Sequence, residues 1–227
     1  TGEMIMNIKN TIKKTVCMAT AAMTILGVCG VYAQKITTQQ IDDLKVYNIM
    51  VGDAESGDLR LGDNITRAEA AKVLCTAASL DTSVPQDAFP DVTQDHWAYR
   101  YVYAAKESGL VSGDENGNFN PDANITNEEF VKMAVCVVGY TPYADVNGGY
   151  PMGYVSAAAR FGLTTDLQLE PQTAAKREDV AIITANALDI PLMVKKGDME
   201  NEEWVIMDGN GEYEKQTLRT RLDGANK

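Results

Sequence analysis

Ile65-Thr66-Arg67-Ala68-Glu69-Ala70-Ala71 is answered by Ile125-Thr126-Asn127-Glu128-Glu129-Phe130-Val131, and more loosely by Ala175-Lys176-Arg177-Glu178-Asp179-Val180-Ala181. The three stretches begin 60 and 50 residues apart, and self-similarity at such spacing marks a repeated supersecondary unit. Thr66 and Thr126 are good N-caps, and Glu69 and Glu129 stand three residues on, the spacing of a capping box. In the third copy Lys176 takes the place of the threonine, so that cap is lost. Behind the caps, apolar residues fall on one helical face: Val73, Leu74, Ala77 and Ala78, then Phe130, Met133, Ala134, Val137 and Val138, then Val180, Ile183, Ala187 and Leu188. Three such faces can bury one another. The spacing predicts a mainly α protein, a pseudo-threefold bundle of three helix–loop–helix repeats.

Upstream of each stretch the pattern predicts a shorter helix with a glycine or asparagine stop. The first holds Ile41 and Leu44 and stops near Asn48. The second runs from Trp97 to Ala105 and stops at Gly109, and the third from Tyr150 to Ala158 with Gly162. The copies are bounded at 34–81, the first short at its start, then 89–140 and 142–193. Beyond them, Lys195-Lys196-Gly197-Asp198 reads as a linker. Asp208-Gly209-Asn210-Gly211 sits between Trp204–Met207 and Glu212–Leu222, which predicts a hairpin across that turn. Residues 194–227 are then the start of a further domain, a tail, or a decoration packed on the bundle.

The first residues read as a leader. Lys9, Lys13 and Lys14 precede an apolar run from about Thr15 to Val31, and Val31-Tyr32-Ala33 suits cleavage after Ala33. An uncleaved membrane anchor, or a lipoprotein site at Leu26-Gly27-Val28-Cys29, are the alternatives. The opening Thr1-Gly2-Glu3-Met4 suggests a start at Met4 or Met6. The net charge is −12, and the leader holds three lysines and one glutamate, so the chain beyond it stands at −14. Such acidity argues against nucleic acid, which needs a basic face. Of four cysteines only Cys75 and Cys136 lie beyond the leader, at different repeat positions, and both read as apolar thiols.

Several residues in the second copy recur in a fixed order. They are Phe89-Pro90-Asp91-Val92, His96-Trp97-Ala98, Gly109-Leu110-Val111-Ser112-Gly113, Asn118-Phe119-Asn120-Pro121 and Ile125-Thr126. With Ile65-Thr66-Arg67-Ala68-Glu69, this pattern resembles the S-layer homology domain, over about residues 37–193. The resemblance implies a three-pronged bundle with anchor helices at the centre and ligand grooves between copies. It implies non-covalent anchoring of a secreted protein to secondary cell wall polysaccharide, often pyruvylated, at the cell surface of a Gram-positive-type bacterium. In the family an anchor arginine helps bind the anionic sugar, with aspartate and aromatic residues nearby.

Arg67 and Arg177 stand in the first turns of their helices, where a guanidinium and unpaired helix N–H groups would meet a carboxylate. Trp97 and Tyr150 are candidate sugar platforms, Asp91 and Asp145 candidate hydroxyl acceptors, and Ser112 and Gly113 candidate groove residues. The plainer alternatives are ion pairs of either arginine with Glu69, Asp179 or another acid, a core role for Trp97, and a turn cap for Asp91. Asn127 replaces the arginine in copy two, so one or two working grooves are expected. His96, the lone histidine, builds neither triad nor zinc site. Asp114, Asn116 and Asn118 fail as an EF-hand, because Phe119 and Ile125 stand where glycine and glutamate are required. No cofactor, metal or catalytic residue is expected. The competing expectations are a structural scaffold with vestigial grooves, or the anchor region of a larger hydrolase.

Overall fold

The computed structural model describes residues 35–197, 202–211 and 213–225. The expected leader and its cleavage point lie outside the described residues. What is described is mostly helical, with one small antiparallel sheet near the C-terminal end. The elements are α1 (Thr38–Val46), α2 (Arg67–Ala77), α3 (Tyr99–Glu107), α4 (Asn127–Val137), α5 (Thr141–Val146), α6 (Met152–Arg160), α7 (Arg177–Asp189), β1 (Met193–Lys196), β2 (Glu203–Ile206) and α8 (Leu218–Ala225).

Local chemistry sets the helix ends. Thr66 and Thr126 close full capping boxes with Glu69 and Glu129, and Thr37 closes one with Gln40. Lys176 gives α7 no side-chain cap. The upstream helices α1, α3 and α6 stop where Asn48, Gly109 and Gly162 adopt positive φ of 54°, 70° and 87°.

The segments beginning at Ile65, Ile125 and Ala175 meet. Ile65 donates its N–H to the Ala175 carbonyl, Ala175 to Ile125, and Ile125 back to Ile65, at 2.9–3.1 Å. All three residues are buried, so this ring of main-chain bonds lies inside the core. Helices α2, α4 and α7 pack on one another, and each also packs on the upstream helix of the next segment: α2 on α3, α4 on α6, α7 back on α1. Phe130, Leu74, Ile183 and Leu188 are among the side chains sealed in the shared core.

The C-terminal residues depart from the sequence reading. β1 pairs with β2 in the register Met193↔Ile206 to Lys196↔Glu203, so the strand pairing lies before Asp208-Gly209-Asn210-Gly211 instead of across it. Leu218–Ala225, expected as extended chain, is α8. The physical reason is an i, i+4 apolar pair: Leu218 and Leu222 are both buried, and α8 packs on α7. Thr217 and Thr220 exchange hydrogen bonds at its start. Arg219 then ties Asp189 of α7 to Asp43 of α1, and Tyr47 donates to Asp223. Where β1 reaches the bundle, Met193 donates to the Val138 carbonyl beside Gly139. A Cβ on Gly139 would stand 2.0 Å from the Met193 carbonyl oxygen, so only glycine fits there.

Candidate functional site

A cavity of ≈ 660 Å³ opens between the first and second segments. Arg67 enters it from the first turn of α2, Glu129 and Lys132 from α4, and Ser112, Gly113 and Asn120 from the second segment's loops. Tyr150 stands at it from the third segment and is 52% exposed. Four residues expected from the sequence, Arg67, Ser112, Gly113 and Tyr150, are thus brought together. A Cβ on Gly113 would press to 3.1 Å on both Phe89 and the Gly117 backbone, which keeps the cavity wall free of a side chain there.

Arg67 is firmly held. Its Nε donates to the Phe119 carbonyl at 2.7 Å, one terminal nitrogen to Glu129 at 2.8 Å, and the other to the Ser112 carbonyl at 3.3 Å. The guanidinium also lies 4.9 Å from the centre of the Phe119 ring, itself stacked on Phe89. Of five N–H groups three are engaged, which leaves two for a ligand. Lys132 donates to the Gly109 and Leu110 carbonyls and supplies a second cation. Burial first, and then the carboxylates of Glu128 and Glu129, push the Tyr150 hydroxyl above its usual pKa, so it remains a neutral donor.

The other expected residues lie elsewhere. Asp91 accepts from the Phe119 and Asn120 N–H groups, so it fixes the loop whose carbonyl receives Arg67; it is a turn cap that positions the site from behind. Asp145 accepts from Tyr154, whose hydroxyl is raised by burial and by that bond. Trp97 is neither a core plug nor a wall of this cavity: it is 52% exposed and stacks on His96, whose Nδ1 accepts from Ala98 N–H. Arg177 belongs to the seam between the third and first segments. It is buried, donates to the Leu59 carbonyl at 2.7 Å, and pairs with Glu69 at 2.9 Å.

One expectation is overturned outright. The first-turn N–H groups of the anchor helices are not free for a ligand. Arg67 and Ala68 donate to the Ala123 and Pro121 carbonyls, Asn127 and Glu128 to Thr173 and Pro171, Arg177 and Glu178 to Asp63 and Leu61. Each neighbouring loop satisfies the helix end before any sugar could.

Lys132 is the residue that sequence reasoning missed. Its signal was available, because it stands six residues after Thr126 as Lys72 stands six after Thr66, while Ile182 stands six after Lys176. Glu129 caps α4 and is also the partner of Arg67, a second role that its capping-box spacing does not reveal. Cys75 and Cys136 are free thiols, and burial pushes Cys75 up to about 12. Among the described residues no cluster is arranged to hold a metal ion, and no helix is long and apolar enough to cross a membrane.

Residues 88–131 match the family model of the S-layer homology domain. Those residues form most of the cavity wall. The chain is 32% identical over 108 residues to a cell surface protein of Thermoanaerobacter kivui, covering 48% of this chain and 14% of that protein. It is 28% identical over 148 residues to the middle cell wall protein of Brevibacillus brevis, covering 63% and 14%. An endoglucanase of a Bacillus species is 38% identical over 78 residues, 34% of this chain and 8% of the enzyme. The chain therefore spans a small part of each of these relatives.

Proposed function

We propose that this chain anchors a secreted protein at the bacterial cell surface by non-covalent binding of an acidic wall polysaccharide, and that it catalyses no reaction. The observation that carries the reading is the cavity in which Arg67, Lys132 and Tyr150 converge, built largely from the residues that match the S-layer homology domain. The Lys132 ammonium and the two unengaged guanidinium N–H groups of Arg67, beside a flat phenol, suit a sugar ring bearing a carboxylate, such as a pyruvate ketal, although Glu129 and Asp114 line the same cavity. Each charge-assisted bond to it contributes roughly 1.5–3 kcal/mol. The surface and cell-wall names of the relatives are in keeping with that role. In the same reading, residues 1–33 are a cleaved leader. Residues 34–81, 89–140 and 142–193 are three repeats about a pseudo-threefold axis, an arrangement supported by the closed ring of hydrogen bonds at Ile65, Ile125 and Ala175.

A protein at −14 is repelled by an acidic polymer at long range, so binding rests on contacts inside the cavity. Pelleting with native cell-wall sacculi, and with sacculi stripped of secondary polymer, tests this. Native sacculi should retain the chain and stripped ones should not. Lys132→Gln, which leaves the Arg67–Glu129 pair in place, should weaken retention about tenfold. Equal retention on both preparations, or none on either, ends the reading.

A second reading, a scaffold with vestigial grooves, is favoured by one observation: Arg177 is buried and directed at internal acceptors. Retention on native sacculi that survives both Arg67→Ala and Lys132→Gln would favour it.

A further inference from the structure

The seam between the second and third segments lacks a guanidinium and keeps the acceptors that would receive one. At the first seam Arg67 donates to the Phe119 carbonyl and to Glu129; at the closing seam Arg177 donates to the Leu59 carbonyl and to Glu69. Leu59, Phe119 and Leu169 each stand six residues before Ile65, Ile125 and Ala175, and Glu69, Glu129 and Asp179 each stand four after them. At the remaining seam the side chain is Asn127. Its amide is shorter, and its Nδ2 reaches only the next carbonyl, Glu170, and the Thr173 hydroxyl.

Three acceptors are left over. The Oδ1 of Asn127 is buried without a partner, the one such side-chain atom among the described residues, and Asn127 is 6% exposed. Among the described residues no donor reaches the Leu169 carbonyl, and none forms an ion pair with Asp179. Burial pushes the Asp179 carboxyl above its usual pKa, as expected of a carboxylate without its counter-ion. Beside Asn127 a cleft of ≈ 200 Å³ has opened, walled by Val131, Val155, Leu167, Leu169 and Pro171, with Glu128 as its charged member. At the first seam the corresponding region is filled by the stacked Phe89, Phe119 and Arg67.

We propose that this cleft receives an arginine side chain presented by another polypeptide, with apolar walls along its stem, Asn127 Oδ1 and the Leu169 carbonyl as acceptors for its guanidinium, and Glu128 as the carboxylate at the cleft. The ligand is of opposite charge to the one proposed for the Arg67 cavity, and the net charge of the chain favours a basic partner. Apolar walls alone would admit any small group. The unclaimed acceptors select a planar multi-donor cation.

The test uses N-acetyl-arginine amide and its neutral isostere N-acetyl-citrulline amide, titrated into the chain with labelled methyl groups. The arginine probe should shift the Val131, Val155, Leu167 and Leu169 methyl resonances saturably. The citrulline probe should bind about tenfold more weakly. Asn127→Arg should fill the cleft from within, abolish the shifts, and raise Tm by roughly 2–4 °C. Should that variant fold poorly, Asn127→Ala keeps the fold, removes Oδ1, and should weaken the arginine probe at least threefold. Equal affinity for the two probes, absence of saturable shifts, or undiminished binding to a folded Asn127→Arg or Asn127→Ala protein would overturn the proposal. None of these readouts depends on wall binding at Arg67, so the two proposals stand or fall separately.

Discussion

The first and second seams are built on the same backbone plan and differ in what fills them. In both, a loop gives its carbonyls to the N–H groups of the preceding anchor helix at 2.9–3.0 Å, so backbone geometry does not distinguish them. The side chains do. At the first seam Arg67 bridges a loop carbonyl and a capping glutamate over a phenylalanine stack, and a large cavity lined by Arg67, Lys132, Glu129 and Asp114 results. At the second, Asn127, Leu169 and Asp179 replace arginine, phenylalanine and glutamate, and a small cleft with spare acceptors results. The lesson is that backbone bonds set the fold, while one position in the first helical turn decides how each seam is filled.

The comparison breaks most severely where the guanidinium is most deeply buried. Arg177→Ala should cost about 3 kcal/mol in urea unfolding, because the Leu59 carbonyl loses its donor and Glu69 keeps only the longer pair with Arg60 at 3.6 Å. Arg67→Asn with Glu129→Asp would turn the first seam into a likeness of the second. About 2 kcal/mol should be lost, less than for Arg177 because the Arg67–Glu129 pair is more open to water. Thr126→Ala tests the shared plan instead of the difference, and loss of its cap should cost about 1 kcal/mol by the same assay.

The smallest effects are those of pH. Asp179 titrates above its unfolded value, so its contribution to stability is present in acid and is lost as pH rises through the folded pKa. Asp179→Asn should therefore gain a few tenths of a kcal/mol at pH 7 and little at pH 3. Asp43 has the opposite sign. The hydrogen bond from Arg219 holds it below the usual carboxylate range, so its contribution is present at neutral pH and fades as pH falls through the folded value. Asp43→Asn should accordingly weaken the protein at pH 7 more than at pH 3, measured by the same unfolding curves.

The anchor helices were legible because capping boxes and apolar periodicity are local, and Thr66, Thr126 and the Lys176 exception all appear as the sequence implied. Half of the expected cavity residues were legible for the same reason: Arg67, Ser112, Gly113 and Tyr150 belong to recurring motifs. What failed was whatever depended on a neighbour distant in sequence. Arg67 pairs with Glu129, 62 residues away, and the helix N–H groups expected to await a ligand are claimed by loops of another segment. The core-plug alternative for Trp97 fails because the ring is exposed beside His96, and residue type does not say which way a side chain faces. The strand beyond Asp208 was misread because turn chemistry outweighed the spacing of Leu218 and Leu222.

The three bonds among Ile65, Ile125 and Ala175 form a closed circuit, in which each residue gives one hydrogen and takes one. Any two of them alone would leave a donor and an acceptor stranded in apolar surroundings. The hub is accordingly a closed one: removing any one of these three segments would expose an open main-chain donor and acceptor at the centre of what remains.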